Sequence, residues 1–520
     1  MSIIRPVAAI GGATLLSRLL GFARDIAIAG LFGAGARADA FFVSLQITNL
    51  ARRLFAEGAL NAAFVPLYLQ IGKADGERAA QNFAGRLIGT FTPLLLMVSL
   101  LLAAAMPLLI MLLAPGFTAG DPRESFAIAW ARLMLPYLVF AGPAALIVAM
   151  LNAERRFAAA AWAAAIFNVV ILFALAIIFV ADIGDSDVSG HILAASVAAA
   201  GLCQLLLVSA AAWHRAKGLP RPAISFGPQT QMFFRLAIPG LIAAGIPQFI
   251  TIVGAMAASA SPSAISWLYY AQRLVELPLG IVSVVIGTVL VPTLSHALTG
   301  GEQRDIAAAE SRGLELAFGL SLPAAIALAI LSEPIVRTLF ERGAFTPADS
   351  AATAIALTIF AFGLPGHVLF KTWAPLFFAR GNTKTPMLAG LCALVVAGIG
   401  SVALMPLLGH IGVAIAVGAA GWVSAGVLAI LIHIRIGFAL EARTGRRLSL
   451  IAIAALVMGG TVCLLAWLLQ SWFTPGTHTL PKLAALGSLI ACGIGVYGAM
   501  LTVFKVARWS DLKAILHRSA

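Results

Sequence analysis

The chain has 520 residues, of which 61% are hydrophobic and only 11% charged, with a mean hydropathy of +1.00 and a formal net charge of +13. A soluble domain is about half apolar and about a quarter charged. A soluble enzyme core and a nucleic-acid-binding surface are therefore both excluded. The apolar residues come in blocks of about 20 or more, the length a helix needs to cross hydrocarbon, and lipid forces each block to satisfy its own backbone.

In chain order the blocks predict about fourteen spans: Val7–Leu31, Ala38–Leu69, Leu87–Leu113, Phe126–Leu151, Ala159–Val180, Ile192–Trp213 and Phe233–Ala258, then Ile265–Leu294, Leu314–Leu331, Ala352–Phe378, Met387–Leu408, Ile411–Ile436, Leu448–Leu469 and Leu483–Phe504. The first block follows one early cation, Arg5, but runs into Arg24 and Asp25 without a small-residue cleavage pattern, so it reads as a retained span and not a signal peptide. Cys203, Cys392, Cys463 and Cys492 each stand alone in an apolar block, which points to packing and not to a metal or disulfide.

Every second connection is basic. Lys73, Arg78 and Arg86 begin the series, followed by Arg155 and Arg156, then Arg215, Lys217 and Arg221. Arg304 and Arg312, Arg380 and Lys384, and Arg435, Arg443, Arg446 and Arg447 continue it, and Lys505, Arg508, Lys513 and Arg518 close it. The alternate connections are poor in cations, and one carries Asp182, Asp185 and Asp187. Short-loop cations stay on the cytoplasmic side, so both termini are expected there. The net positive charge is then a topology signal, aided by anionic lipid.

An internal repeat organises the spans. Phe64-Val65-Pro66 returns as Leu290-Val291-Pro292, and Ala114-Pro115-Gly116-Phe117-Thr118 is echoed in Glu341-Arg342-Gly343-Ala344-Phe345-Thr346. Leu135-Pro136 matches Leu364-Pro365, and the basic turn at Arg155 matches that at Lys384, all at offsets of about 228 residues. Each unit holds six spans, an even number, so the copies run parallel, a plan used by secondary transporters with a site between two lobes. The expected domains are a six-helix lobe over 1–222, a second over 223–440, and two extra helices with a tail over 441–520.

The chemistry lies inside the membrane. A charge at mid-bilayer costs about 2.5–3.5 kcal/mol on insertion scales and persists where it faces water or a partner. The first two spans hold Arg18, Arg24, Asp25, Asp39, Arg52, Arg53 and Glu57, and the eighth holds Arg273 and Glu276. At 100° per residue Ser266, Tyr269, Arg273 and Glu276 fall within roughly 80° of one another, a single polar stripe. Asp39, Gln46, Asn49, Arg53 and Glu57 form a similar stripe on the second span, which Arg53 joins by wheel position and Arg52 does not. The repeat relates these two spans, so the stripes are expected to face each other. The bland alternative is internal pairing of Arg24 with Asp39, Arg273 with Glu276 and Arg53 with Glu57. It fails for the set, because arginines outnumber acids in these spans. A surplus of guanidinium groups suits a phosphate or diphosphate, which arginine grips with two parallel bonds.

At these residues the sequence resembles the MurJ (MviN) lipid II flippase family. The likeness rests on Ser17-Arg18-Leu19-Leu20-Gly21-Phe22-Ala23-Arg24-Asp25, on Asp39-Ala40-Phe41-Phe42, and on Asn49-Leu50-Ala51-Arg52-Arg53-Leu54-Phe55-Ala56-Glu57-Gly58-Ala59. Trp267-Leu268-Tyr269-Tyr270-Ala271-Gln272-Arg273-Leu274 resembles the family's eighth-helix motif, with Gln272 where many members have Asp. The resemblance covers essentially the whole chain. It implies the fold of the multidrug/oligosaccharidyl-lipid/polysaccharide exporter superfamily: an all-α polytopic membrane protein with two six-helix lobes in a V plus two C-terminal helices forming a lipid groove. It implies a flippase of the bacterial inner membrane, not an enzyme. Its substrate would be lipid II, the undecaprenyl-diphosphate disaccharide-pentapeptide, moved from the cytoplasmic to the periplasmic leaflet by alternating access. The implied substrate-binding residues are Arg18, Arg24, Arg52 and Arg273, with Asp25, Asp39, Asn49, Arg53, Glu57, Ser266, Gln272 and Glu276 supporting the cavity. On Arg52 the family pattern overrides the helical wheel. Some relatives bind sodium near the seventh, eleventh and twelfth helices; no carboxylate set for it is legible here, so no metal or cofactor is expected. Cell-wall synthesis machinery is a candidate partner. The competing readings are a flippase for another undecaprenyl-linked glycan, a membrane glycosyltransferase, and a scaffold for cell-wall enzymes. The glycosyltransferase would need a supported catalytic acid among Asp121, Asp182, Asp185 and Asp187, and the scaffold would have no use for buried arginines.

Overall fold

The computed structural model describes residues 4–56, 59–118, 120–213, 220–290, 303–435, 443–474 and 478–506. Among them it contains helices and no strand. The helices are α1 (Ile4–Phe32), α2 (Ala36–Ala56), α3 (Ala59–Asp75), α4 (Glu77–Ala104), α5 (Met106–Leu113), α6 (Pro122–Met134), α7 (Pro136–Ala153), α8 (Ala158–Val180) and α9 (Asp187–Trp213). They continue as α10 (Pro228–Ala258), α11 (Ala264–Val285, prolonged by a π-turn over Ile286–Leu290), α12 (Gln303–Ile330), α13 (Ser332–Phe340), α14 (Pro347–Phe378), α15 (Lys384–Leu408), α16 (His410–Arg435), α17 (Thr444–Leu468) and α18 (Thr479–Val503). Ten of the described helical stretches are long and apolar enough to cross a membrane. The chain is an all-α, multi-pass membrane protein.

Most expected spans coincide with a helix to within a few residues, and the departures have local causes. The block read as Ala38–Leu69 is divided into α2 and α3, with residues 57 and 58 outside the described set. The third block is broken at Ala105, ahead of Pro107, and the fourth at Leu135, ahead of Pro136. Proline lacks the amide that would continue the ladder, so one apolar run is divided into two helices at each of these points. Helix α6 starts on Asp121, whose carboxylate accepts from the Arg123 amide at 2.8 Å, with Pro122 in the first turn. Helix α14 starts on a capping box formed by Thr346 and Asp349, again with proline in its first turn.

Two compact units divide the chain, Met1–Ser266 and Trp267–Ala520, and the boundary falls inside α11. In the first unit Trp130 is fully buried, stacked on Phe126 at 5.0 Å and on Phe32 at 5.9 Å. Large apolar side chains such as Leu100, Phe173 and Phe179 point outward, as a lipid solvent allows. The segment Pro220–Gly227 runs in extended form from α9 toward α10 along α4. Its Ala223 amide donates to the Gly85 carbonyl at 3.2 Å, and Ser225 and the Thr90 hydroxyl exchange bonds of 3.0 and 3.1 Å. A Cβ at Gly85 or Gly89 would overlap the backbone of Arg221 or Ala223, so the strap lies where two glycines spaced four apart leave room.

In the second unit Tyr270, Phe340 and Phe345 form an aromatic cluster with centroids 5.1–5.9 Å apart. The last two helices are fastened there as well. Arg447 reaches Glu315 at 3.2 Å, the Tyr497 hydroxyl donates to the Gly319 carbonyl at 2.7 Å, and Arg337 donates to the Phe473 carbonyl at 3.1 Å.

Candidate functional site

Three of the four arginines expected to bind substrate lie in the first unit, and two of them share one aromatic ring. Arg24 is buried on α1 and gives two bonds to Asp25 Oδ1, at 3.0 and 2.7 Å, and one to Asn168 Oδ1, at 3.1 Å. Arg24 thus takes the adjacent Asp25 as its carboxylate, and Asp39 is engaged elsewhere. Arg52 is half-buried on α2, donates to Asn49 at 3.4 Å, and stands 5.9 Å from the centre of the Phe167 ring. The Arg24 guanidinium lies 5.9 Å from the same ring, so one aromatic face is shared by two cations. Asn168 also donates to the Ser17 carbonyl at 3.0 Å. Beside Ser17, the exposed Arg18 lines a cavity of about 440 Å³ together with Asn152, Phe157, Ala160, Ala161 and Ala164. Asn168 and Phe167 escaped the sequence reading. The signal was there, since Asn168 is the one strongly polar residue of α8.

Asp39 belongs to a second, closed assembly. It is fully buried, and its Oδ1 accepts from the Ser266 amide at 3.0 Å and the Ser266 hydroxyl at 2.5 Å. Its Oδ2 accepts from the Ser263 amide at 2.8 Å. A carboxylate on α2 therefore satisfies the free amides at the start of α11, where the helix dipole favours negative charge. Arg123 approaches the same oxygen at 3.8 Å, pairs with Asp121 at 2.7 Å, and donates to the Ser259 carbonyl at 3.3 Å. Its guanidinium lies 4.6 Å from the Phe117 ring. The Gly116 amide donates to the Ser259 hydroxyl at 2.8 Å, an approach so close that any side chain at 116 would overlap the Ser259 backbone. Bonding to Arg123 holds the Asp121 carboxyl below its ordinary range. Arg123 too was missed, although Asp-Pro-Arg at a helix start is a legible capping signal.

In the second unit Arg273 pairs with Glu276 at 2.7 Å, as the internal-pairing alternative anticipated. Gln272 is half-buried beside it on α11. The Arg53 side chain and Glu57 lie outside the described residues. Among the described residues no group of His, Cys, Asp and Glu could hold a metal ion.

Residues 28–483 match the family model described as lipid II flippase MurJ. The chain belongs to the lipid II flippase MurJ family. Its relatives include a probable lipid II flippase MurJ of Rhizobium tropici, 37% identical over 96% of this chain and 93% of that protein. The lipid II flippase MurJ of Burkholderia cenocepacia is 30% identical over 80% of this chain and 81% of its own. Among solved structures, a lipid II flippase MurJ in an inward closed conformation shares the fold, with a TM-score of 0.78, 24% identity, and coverage of 97% and 99%. An inward-facing multidrug resistance MATE family transporter of the MOP superfamily has a TM-score of 0.66 at 17% identity, covering 83% of this chain and 98% of its own. Membership of the MurJ family makes the chain a transporter, and the all-α, multi-pass fold expected from its sequence is the fold it has.

Proposed function

We propose that this chain carries lipid II from the cytoplasmic to the periplasmic leaflet of a bacterial inner membrane, holding the diphosphate on Arg18, Arg24, Arg52 and Arg273. The observation that supports it most is the pairing of Arg24 and Arg52 on the Phe167 ring, with Asn168 and Asp25 bonded to Arg24 and with Arg18 on a cavity beside Ser17. A guanidinium surplus beside a cavity is a diphosphate-shaped demand. Asp25, Asn49, Arg53, Glu57, Gln272 and Glu276 set the electrostatics around those arginines. The working lobes are 1–222 and 223–440, with 441–520 as an accessory pair of helices that guides the lipid tail, and cell-wall synthesis enzymes receive the product.

In this reading the basic loops are cytoplasmic and both termini lie inside. The Asp39–Ser263–Ser266 assembly is then the joint that must part for the substrate to leave on the periplasmic side. Membrane potential, inside negative, favours outward movement of the anionic diphosphate. A unit charge crossing the whole field gains about 2.3 kcal/mol per 100 mV, and a fraction of that biases the cycle about tenfold.

The test is depletion of the protein followed by measurement of which lipid-linked precursor accumulates in the inner leaflet. Lipid II is expected; accumulation of a different undecaprenyl-linked glycan, with lipid II distributed normally, would refute the assignment. Orientation is checked with single cysteines and an impermeant thiol reagent in intact cells. Labelling is expected at position 185 and not at 155 or 384.

A further inference from the structure

The cavity beside Arg18 lies within the first unit and is larger than one arginine needs. Its volume of about 440 Å³ falls in the range of about 300–1,000 Å³ in which small ligands are held. Helix α1 gives it Ser17 and Arg18, and the end of α7 gives it Asn152. Phe157, just ahead of α8, and a floor of alanines that includes Ala161 and Ala164 complete the wall. Alanine at those positions leaves space that a longer side chain would fill.

One residue joins this cavity to the arginine pair. The Asn168 oxygen accepts from Arg24, while its nitrogen donates to the Ser17 and Ala164 carbonyls at 3.0 and 3.4 Å. Ser17 and Ala164 both line the cavity. A group bonded to a diphosphate held by Arg24 and Arg18 therefore has this space next to it.

The lining says which group that is. The diphosphate of a lipid-linked glycan carries an isoprenoid on one side and a sugar on the other. An isoprenoid packed here would cover Ser17, Arg18 and Asn152 without offering any of them a hydrogen bond, which is costly. A sugar ring suits the mixture. Its hydroxyls can pair with the polar edge, and its C–H face can lie on the half-free Phe157 ring. Asn152 is loosely held for such a task. Its Nδ2 donates to Asn61 Oδ1 at a long 3.5 Å, and its enclosed Oδ1 has no hydrogen-bond partner among the described residues. Turning that amide into the cavity gives up little and presents both a donor and an acceptor.

We propose that this cavity seats the first sugar of the lipid-linked glycan, read by Asn152 and Phe157 while Arg18 holds the adjoining phosphate. The inference rests on the transport reading above and deepens it, since it assigns choice among lipid-linked glycans to residues of the first unit.

The experiment measures binding to the purified full-length protein in detergent by native mass spectrometry. The probes are undecaprenol, undecaprenyl diphosphate, and undecaprenyl diphosphate carrying a single N-acetylglucosamine. The natural sequence should prefer the glycosylated diphosphate to the bare one by about tenfold. Ala161→Leu fills the cavity and Phe157→Leu removes the ring. Each should weaken the glycosylated probe by about tenfold and leave the bare diphosphate within about twofold. Phe157→Tyr keeps the ring and should stay within about threefold of the natural sequence for both. An unaltered preference in either folded leucine variant, an equal loss for both diphosphates, or no preference in the natural sequence overturns the sugar seat and leaves the transport reading standing. Failure of both leucine variants to fold marks the lining as structural and overturns it too. A natural sequence that binds neither diphosphate better than undecaprenol would instead sink the transport reading and take the seat with it.

Discussion

Two charged assemblies of the first unit, built from neighbouring helices, are finished to different degrees. Around Asp39 both carboxylate oxygens are occupied, by Ser263 and Ser266 and by the approach of Arg123, and Asp39, Ser266 and Arg123 are buried. At the Phe167 ring Arg24 and Arg52 meet, yet Arg52 is only half-buried, and Arg18 on the same helix as Arg24 is exposed on a cavity. A saturated, dry network fixes a conformation, because each missing partner would leave a buried polar group uncompensated. A more exposed surface rich in guanidinium groups has room for something else. Composition alone treats Arg123 and Arg18 as the same kind of residue; burial and partners separate a fastening from the proposed receptor.

That contrast can be broken from the receptor side first. Arg24→Ala is expected to lower transport by about 100-fold, enough to abolish complementation of a depleted strain, while membrane levels stay normal. Arg24→Lys should also fail to restore normal growth, because a point charge cannot bond Asp25 and Asn168 together. Growth of cells carrying Arg24→Ala at the natural rate would remove this residue from the binding surface.

From the fastening side, Asp39→Ala leaves the start of α11 without its anion and Arg123 with Asp121 alone. Unfolding free energy, followed in mixed micelles, should fall by about 3 kcal/mol, an effect on stability that Arg18→Ala should not share. Equal stability losses for the two variants would erase the distinction. Gly116→Ala should cost about 1–3 kcal/mol in the same measurement, since the loop must back away from Ser259. The smallest effect concerns pH. Asp121 is held below its ordinary value of 3.8, so its contribution is complete above that value and lost as pH falls through the lowered one. Stability should be indifferent to Asp121→Asn substitution in its slope between pH 7 and 5, and the two proteins should diverge only in acid.

What the sequence disclosed followed from local rules. Blocks such as Ala159–Val180 announce themselves through length and hydropathy alone, and Pro107 and Pro136 carry the reason for their breaks in their own chemistry. At Asp39 the repeat offset of about 228 pointed to the right partner stretch, since Ser263 and Ser266 stand 224 and 227 residues away, but no stripe drawn on side chains names helix-start amides as the donors. Asp39 looked like a member of a polar stripe, and its acceptor role at a distant helix start emerged only from the fold. The ring that Arg52 addresses belongs to α8, and a wheel drawn for α2 alone contains no neighbour, so that contact could not be read from it.

The strap over α4 makes the chain a candidate for being cut in two. A break placed within residues 214–219 would give the second fragment an N-terminus at Pro220, ahead of backbone already shaped to lie along Gly85, Gly89 and Thr90 of the first. That short stretch would serve as an address, read by a groove that a bulkier residue would erase. The two halves, made as separate polypeptides, should find each other through it. Valine at both glycines should leave them strangers.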